Sequence, residues 1–274
     1  MPRYPLAALA TLISGLLLAQ PLAAQCITSK GAFGQYKQTL QQRAAASGIG
    51  KRGQQALARA SLSGITWRFE SSPSSQTGVS QGDPARFLAK RSGSSAQRFI
   101  SQTRARIGRN RNTFAATERN YDVPASILAT IWGLETSWGG YLGGTPIVSG
   151  AVTLSSYCRR YPRFEPHAIA ALRLVDRGVI SAGTRGGPSG ELGHMQFLAG
   201  NWEQYGVDAD GNGRADPYSA VDALASAANM LRRNGWRPGK PFGPGTRNFR
   251  VLSVWNDSGN YQRAIAYAAE RIGR

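Results

Sequence analysis

From about residue 96 onward, apolar residues recur at intervals of three and four, the spacing that lines one face of a helix. Phe99, Ile107 and Phe114 punctuate basic segments that run to Asp122-Val123-Pro124. Pro124 suits a first helical turn and opens a helix predicted over Ala125 to Trp138. Ile127, Leu128, Ile131 and Leu134 give that helix a buried face, and Gly139-Gly140 stops it. A second helix is predicted from Pro166 to about Arg177, with Ile169, Leu172 and Val175 inward. A third spans Ala220 to Asn234 on Val221, Leu224, Ala228 and Leu231, and a last runs from about Tyr261 to Ile272. No long alternating pattern of the strand type is present. The predicted fold class is mainly α.

Upstream the pattern weakens. Gly31 to Leu62 is polar and helix-tolerant, with a faint apolar stripe of Phe33, Leu40 and Leu57. Residues 70–96 are rich in Ser, Gly and Gln and carry Pro73 and Pro84, which predicts an extended connection with a short ordered piece near Phe87-Leu88. The chain start differs again. Arg3 precedes an apolar run from Leu6 to Leu18 and a small-residue exit at Ala23-Ala24, the layout of a secretory signal peptide. The run is well short of the roughly 20 residues that span a bilayer. Gln25 before Cys26 speaks against a lipid-modified cysteine, where a small residue is required. The resulting division is 1–24 signal peptide, 25–95 N-terminal arm and connection, and 96–274 catalytic domain, with cleavage near Ala24.

Composition adds two constraints. Cys26 and Cys158 are the two cysteines, and an even count in an exported chain permits one disulfide, which would tie the mature N-terminus to the core. The alternative is one surface and one buried thiol. The net charge of +18, from 33 basic and 15 acidic residues, seeks a polyanion. Export argues against nucleic acid and leaves anionic lipid or the acidic peptides and polymers of a cell wall.

Glu135 is the acid whose surroundings bear most on chemistry. It lies in Ile131-Trp132-Gly133-Leu134-Glu135-Thr136-Ser137-Trp138-Gly139, among large apolar groups near a helix C-terminus. Lost hydration and the negative helix end both favour its protonated form, as a general acid for glycosidic cleavage requires. An ordinary solvent-facing helix glutamate is the bland alternative. The segment resembles the catalytic helix of the membrane-bound lytic transglycosylase B family, whose core is lysozyme-like. Val152-Thr153-Leu154-Ser155, the Arg159-Arg160 pair, Gly190-Glu191-Leu192-Gly193-His194-Met195-Gln196-Phe197 and Val251 to Tyr261 resemble its further motifs, in order. The resemblance covers about residues 96–272 and is weak over 25–95.

The resemblance implies Glu135 as the single catalytic acid/base, with Gln196, Asn256 and Tyr261 lining a glycan cleft. Read without it, these would be a surface amide, a helix-cap Asn and a core Tyr. Glu191 is placed with the cleft residues and is the rival acid, expected on a better-hydrated loop. Gly187 and Pro188 stand where one branch of the family has a substrate-contacting serine and a tryptophan. His167 and His194 form no triad or metal site.

Asp208-Ala209-Asp210-Gly211-Asn212-Gly213-Arg214 alternates oxygen side chains with glycine at position six, as an EF-hand loop does. Position twelve is Ser219 where Glu is usual, but Asp222 at position fifteen fits the lengthened loop of the resembled family. The implied ligands for a structural Ca2+ are Asp208, Asp210, Asn212, the Arg214 carbonyl and Asp222. An Asx-turn without metal is the other reading. No cofactor is required for the chemistry.

A glycosidase of the usual kind needs two carboxylates, and the sequence places none opposite Glu135. The resemblance implies instead a lytic transglycosylase acting on peptidoglycan glycan strands in the periplasm, the muramoyl C6 hydroxyl closing a 1,6-anhydro ring. A lysozyme-like hydrolase and a non-catalytic wall-binding protein are the competing functions. Stable membrane insertion of the mature chain is not expected.

Overall fold

Periodicity in the second half of the chain becomes a stack of helices. The computed structural model describes residues 25–72 and 82–273, so segment 1–24, expected to be a signal peptide, and the middle of the Ser/Gly-rich connection lie outside the described residues. Thirteen α-helices are present among the described residues: α1 Phe33–Ala46, α2 Lys51–Arg59, α3 Gly64–Ser71, α4 Pro84–Ser92, α5 Ala96–Arg109, α6 Arg111–Tyr121, α7 Ala125–Thr136, α8 Ile147–Ser156, α9 Glu165–Asp176, α10 Ala199–Tyr205, α11 Ala220–Arg233, α12 Arg247–Val251 and α13 Gly259–Ile272. One two-residue antiparallel pair, β1 Thr145–Pro146 with β2 Arg185–Gly186, is the sole ladder among them. The fold is mainly helical, as the periodicity predicted, with helix ends within about two residues of expectation.

Two helices lie at the centre. In α7 every residue from Ser126 to Leu134 is buried, so it is apolar all round and can only be a core helix. In α8 all residues from Ile147 to Ser156 are buried. Around them α9 packs on α2, α8 and α10, while α13 packs on α4, α5 and α7.

The described residues of 25–95, read in the sequence as an arm and connection, pack into the core of the residues that follow 96. Tyr36, Leu40, Leu57 and Leu88 are each 0% exposed and belong to the same core as α7 and α8. The stripe of Phe33, Leu40 and Leu57 looked faint because α1 and α2 cover an existing core, which takes few anchors. Tyr36 Oη donates to Ser155 Oγ at 3.0 Å across that junction. Cys26 is disulfide-bonded to Cys158. Beside the bond, Ile27 N donates to Ser156 O at 2.7 Å, fastening the described N-terminal end to the end of α8.

The connection also holds more order than its composition implied. Asp83 caps α4, its side chain accepting from Ala85 N and Arg86 N, with Pro84 in the first turn. No helix of the described residues is long and apolar enough to cross a membrane.

Candidate active site

Glu135 closes the last turn of α7, and the chain leaves that helix abruptly. Ser137, Trp138 and Gly139 have φ of 51°, 57° and 84°, three consecutive left-handed residues that end the helix one residue past Thr136. Contacts hold this exit in place. Thr136 Oγ1 donates to His194 O at 2.7 Å and accepts from Gly139 N at 3.0 Å, while Trp138 Nε1 donates to Ala129 O at 3.0 Å. The carboxyl of the one acidic residue on a core helix is thereby aimed out of the core into a cleft of about 560 Å³.

The carboxyl is held on one side. Tyr261 Oη, from α13, donates to Glu135 Oε1 at 2.5 Å, and Trp255 Nε1 donates to the same oxygen at 3.1 Å. Loss of hydration raises the Glu135 pKa above the usual carboxylate value. The Tyr261 hydrogen bond, the Arg91 charge and the Trp255 hydrogen bond pull against that rise without cancelling it. Burial also drives Tyr261 well above the ordinary phenol value, so its hydroxyl stays protonated and a donor.

Glu191 shares the cleft. It was expected to be better hydrated, yet burial raises its pKa too, and the neighbouring Glu135 charge adds to the rise. Its Oε2 accepts from Ser189 N at 2.8 Å, within a loop that α8 grips closely. At Gly150 on α8 a Cβ would sit 2.7 Å from Gly190 N, so the helix and the loop meet backbone to backbone. A Cβ at Gly187 would collide with Glu191 Oε2 and Gln196 Oε1. Gly187, which stands where one branch of the resembled family has a serine, is therefore part of the packing of this cleft wall.

Gln196 has φ of 51°, and its Nε2 donates to Gly193 O at 2.8 Å and Leu142 O at 3.2 Å. With its nitrogen tied to backbone, it presents Oε1 as an acceptor. Asn256 lines the cleft while its Oδ1 accepts from Ser258 N at 3.0 Å, leaving its amide nitrogen as the donor it can offer a ligand. Tyr261 is a core tyrosine, 4% exposed, as well as the partner of Glu135. Each histidine accepts a hydrogen bond within the fold. His194 Nδ1 accepts from Trp132 Nε1 at 3.3 Å, and His167 Nδ1 accepts from Gly200 N at 3.2 Å.

Further cleft residues were missed, among them Trp255, Phe69, Glu70 and Arg91. Trp255 stood inside a noted motif without a role. Phe69, Glu70 and Arg91 come from segments read as arm and connection. Glu70, 3% exposed, is paired by Arg159 at 2.8 Å and Arg160 at 2.7 Å. Only the adjacent arginines gave a sequence signal for that cluster. Arg91 gave none.

The Asp208 loop folds back on its own side chains. Asp208 Oδ1 accepts from Gly211 N and Asn212 N, and its Oδ2 from Gly213 N. Asn212 Oδ1 accepts from Arg214 N at 3.0 Å. Asp222, fully buried at the start of α11, accepts from Ala209 N, Asp210 N and Asp216 N. One carboxylate oxygen from each of Asp208, Asp210 and Asp222 falls within a 4.8 Å cluster. The nearby guanidinium of Arg214 pairs with Asp216 at 3.1 Å. Three hard oxygen donors this close, without a side-chain cation among them, fit a divalent ion of the calcium type.

The family model described as "Transglycosylase SLT domain" matches residues 32–247. The chain belongs to this transglycosylase family. The match begins in the helices once read as an arm, in keeping with their place in the core. Membrane-bound lytic murein transglycosylase B of Escherichia coli (strain K12) is 35% identical over 121 residues, 43% of this chain and 34% of the relative. The aligned chain thus spans about a third of that relative's length. Solved structures share the helical fold at lower identity. SltB3 from Pseudomonas aeruginosa in complex with NAG-NAM-pentapeptide has a TM-score of 0.75 at 23% identity, over 88% of this chain and 79% of that one. The Escherichia coli lytic transglycosylase Slt35 in complex with calcium has a TM-score of 0.71 at 20% identity, over 86% and 92%.

Proposed function

We propose that this chain is a lytic transglycosylase that cleaves the MurNAc–GlcNAc bond of peptidoglycan, with Glu135 as its acid/base. The observation that carries it is a carboxyl of raised pKa on the floor of an open cleft, anchored by Tyr261 and Trp255 on one oxygen, in a member of this transglycosylase family. Protonated Glu135 gives its proton to the glycosidic oxygen as the C1–O bond breaks and its electron pair leaves with that oxygen. The muramoyl N-acetyl group supports C1. The C6 hydroxyl of the same sugar then attacks C1 and returns its proton to Glu135, so a 1,6-anhydro ring forms without water.

Glu191 is a poor second carboxylate for a hydrolase: a nucleophile or base on the far side of the sugar must be ionised, and burial disfavours that form of Glu191. Gln196, Asn256 and Glu191 would bind the glycan, the amides through N-acetyl and hydroxyl groups. Asp208, Asp210, Asn212, the Arg214 carbonyl and Asp222 would hold a structural Ca2+, which pins the loop ahead of α11 and takes no part in cleavage. The sequence features of 1–24 and the disulfide fit export to the periplasm.

Mass spectrometry of sugars released from purified peptidoglycan by the wild type and Glu135→Gln tests the proposal. Anhydromuropeptides from the wild type alone are expected, whereas reducing-end products would make it a lysozyme-like hydrolase.

A further inference from the structure

General acid/base catalysis asks one carboxyl to do two opposed things. It must hold a proton at the working pH and give it up in the transition state, which works best when its pKa lies near that pH. Burial of Glu135 serves the first demand and hinders the second, because the carboxylate left after proton donation is poorly solvated. Something in the cleft must stabilise that anion. Tyr261 and Trp255 supply neutral hydrogen bonds. The structure also supplies a charge.

Arg91 lines the cleft together with Glu135, Glu191 and Trp255. It lies one turn beyond Phe87 on α4, so the two side chains share a helix face. Phe87 meets the ring of Tyr261 edge-on at 6.0 Å, which docks α4 along α13. The same docking brings the Arg91 guanidinium up to the hydroxyl end of that tyrosine, where its influence is felt by Tyr261, Glu135 and Glu191 alike. Arg91 forms no ion pair among the described residues, whereas Arg160, the other cation of the cleft, is bound to Glu70.

We propose that Arg91 is a positioning residue for the acid/base: from the end of α4, acting beside and through Tyr261, its charge stabilises the carboxylate that Glu135 becomes when its proton passes to the glycosidic oxygen. The groups that face Glu135 are then Tyr261 from α13, Glu191 from the loop after β2 and Arg91 from α4. Among the described residues, only Arg91 contributes a positive charge there. This assignment rests on Glu135 being the acid.

The experiment is the pH profile of anhydromuropeptide release by the wild type, R91Q and R91K. Without the cation, R91Q should hold the proton more tightly, so its alkaline limb moves up by about half a pH unit or more, and kcat falls with little change in KM. R91K should return the limb most of the way. A second measurement needs no activity: the melting-temperature difference between E135Q and its parent, followed against pH in the Arg91 and R91Q backgrounds. Its midpoint reports the Glu135 titration and should move up in R91Q. Coincident limbs and midpoints in the two backgrounds would overturn the assignment, as would a loss confined to KM. Should E135Q itself still cleave, the acid has been misidentified and the reading of the site fails. With E135Q inert and R91Q unshifted, only the role of Arg91 falls.

Discussion

Tyr261 and Trp255 both give their hydrogens to Oε1 of Glu135, which leaves Oε2 as the oxygen able to carry the proton to be donated. Replacing the carboxyl with an amide keeps the shape and removes that proton. Glu135→Gln is expected to fold while cleavage falls by roughly two to four orders of magnitude, measured as anhydromuropeptide release. Linkage adds an independent check. The folded-state pKa of Glu135 is raised, so its stabilising effect is fully present below the ordinary value of 4.5 and is lost as pH rises through the higher folded value. The variant cannot titrate. Its melting temperature should therefore gain on the wild type as pH climbs from 4 toward neutrality, and a gap that does not change with pH would contradict the burial argument. Removing the Tyr261 hydroxyl in Tyr261→Phe takes away the strongest counterweight to burial, so the alkaline limb should move up as activity falls.

The loop from Asp208 to Asp222 is where a single substitution should be felt structurally. Asp222 is fully buried and its carboxylate satisfies three backbone amides, so Asp222→Ala strands all three. The expected loss is roughly 3 kcal/mol in chemical denaturation. Added calcium should raise the melting temperature of the wild type and not of that variant. How an element presents itself in sequence decided what could be read. Helices α9, α11 and α13 pair an apolar face with a polar one, and their spacing revealed them. Helix α8 has no polar face at all, and its Ser, Thr and Gly residues register as motif letters while the helix they form goes unnoticed. Helix α4 carries Arg91 but adjoins a stretch of Ser, Gly and Gln, and Leu88 is its single fully buried residue. The Glu135 motif was legible because burial and chemistry meet in one short segment. Arg91 was not, because its role comes from where α4 lands against α13, a tertiary fact with no local spelling.

At the scale of the molecule, the disulfide joins residues 132 apart, and cross-links over such spans restrict the unfolded chain strongly. Reduction is expected to lower stability by about 2–5 kcal/mol in chemical denaturation. The charge of +18 acts over longer distances. Sedimentation with peptidoglycan should weaken as salt rises toward about 0.5 M, since screening shortens the reach of exposed charges to a few ångströms. The helices before residue 96 share the core of those after it for one reason. Helices α1 to α4 contribute few apolar anchors each, yet together they close one side of the core and bring Phe69, Glu70 and Arg91 to the cleft. Glu135 meets Tyr261 across 126 positions of sequence, and that distance has a consequence in time. A chain synthesised from its N-terminus presents Glu135 long before α13 is available to hold it. Until then Glu135 has neither its tyrosine nor its tryptophan, and α4 has no partner against which to set Arg91. The hydrogen-bonded setting of the carboxyl is thus completed late, by the last helix among the described residues.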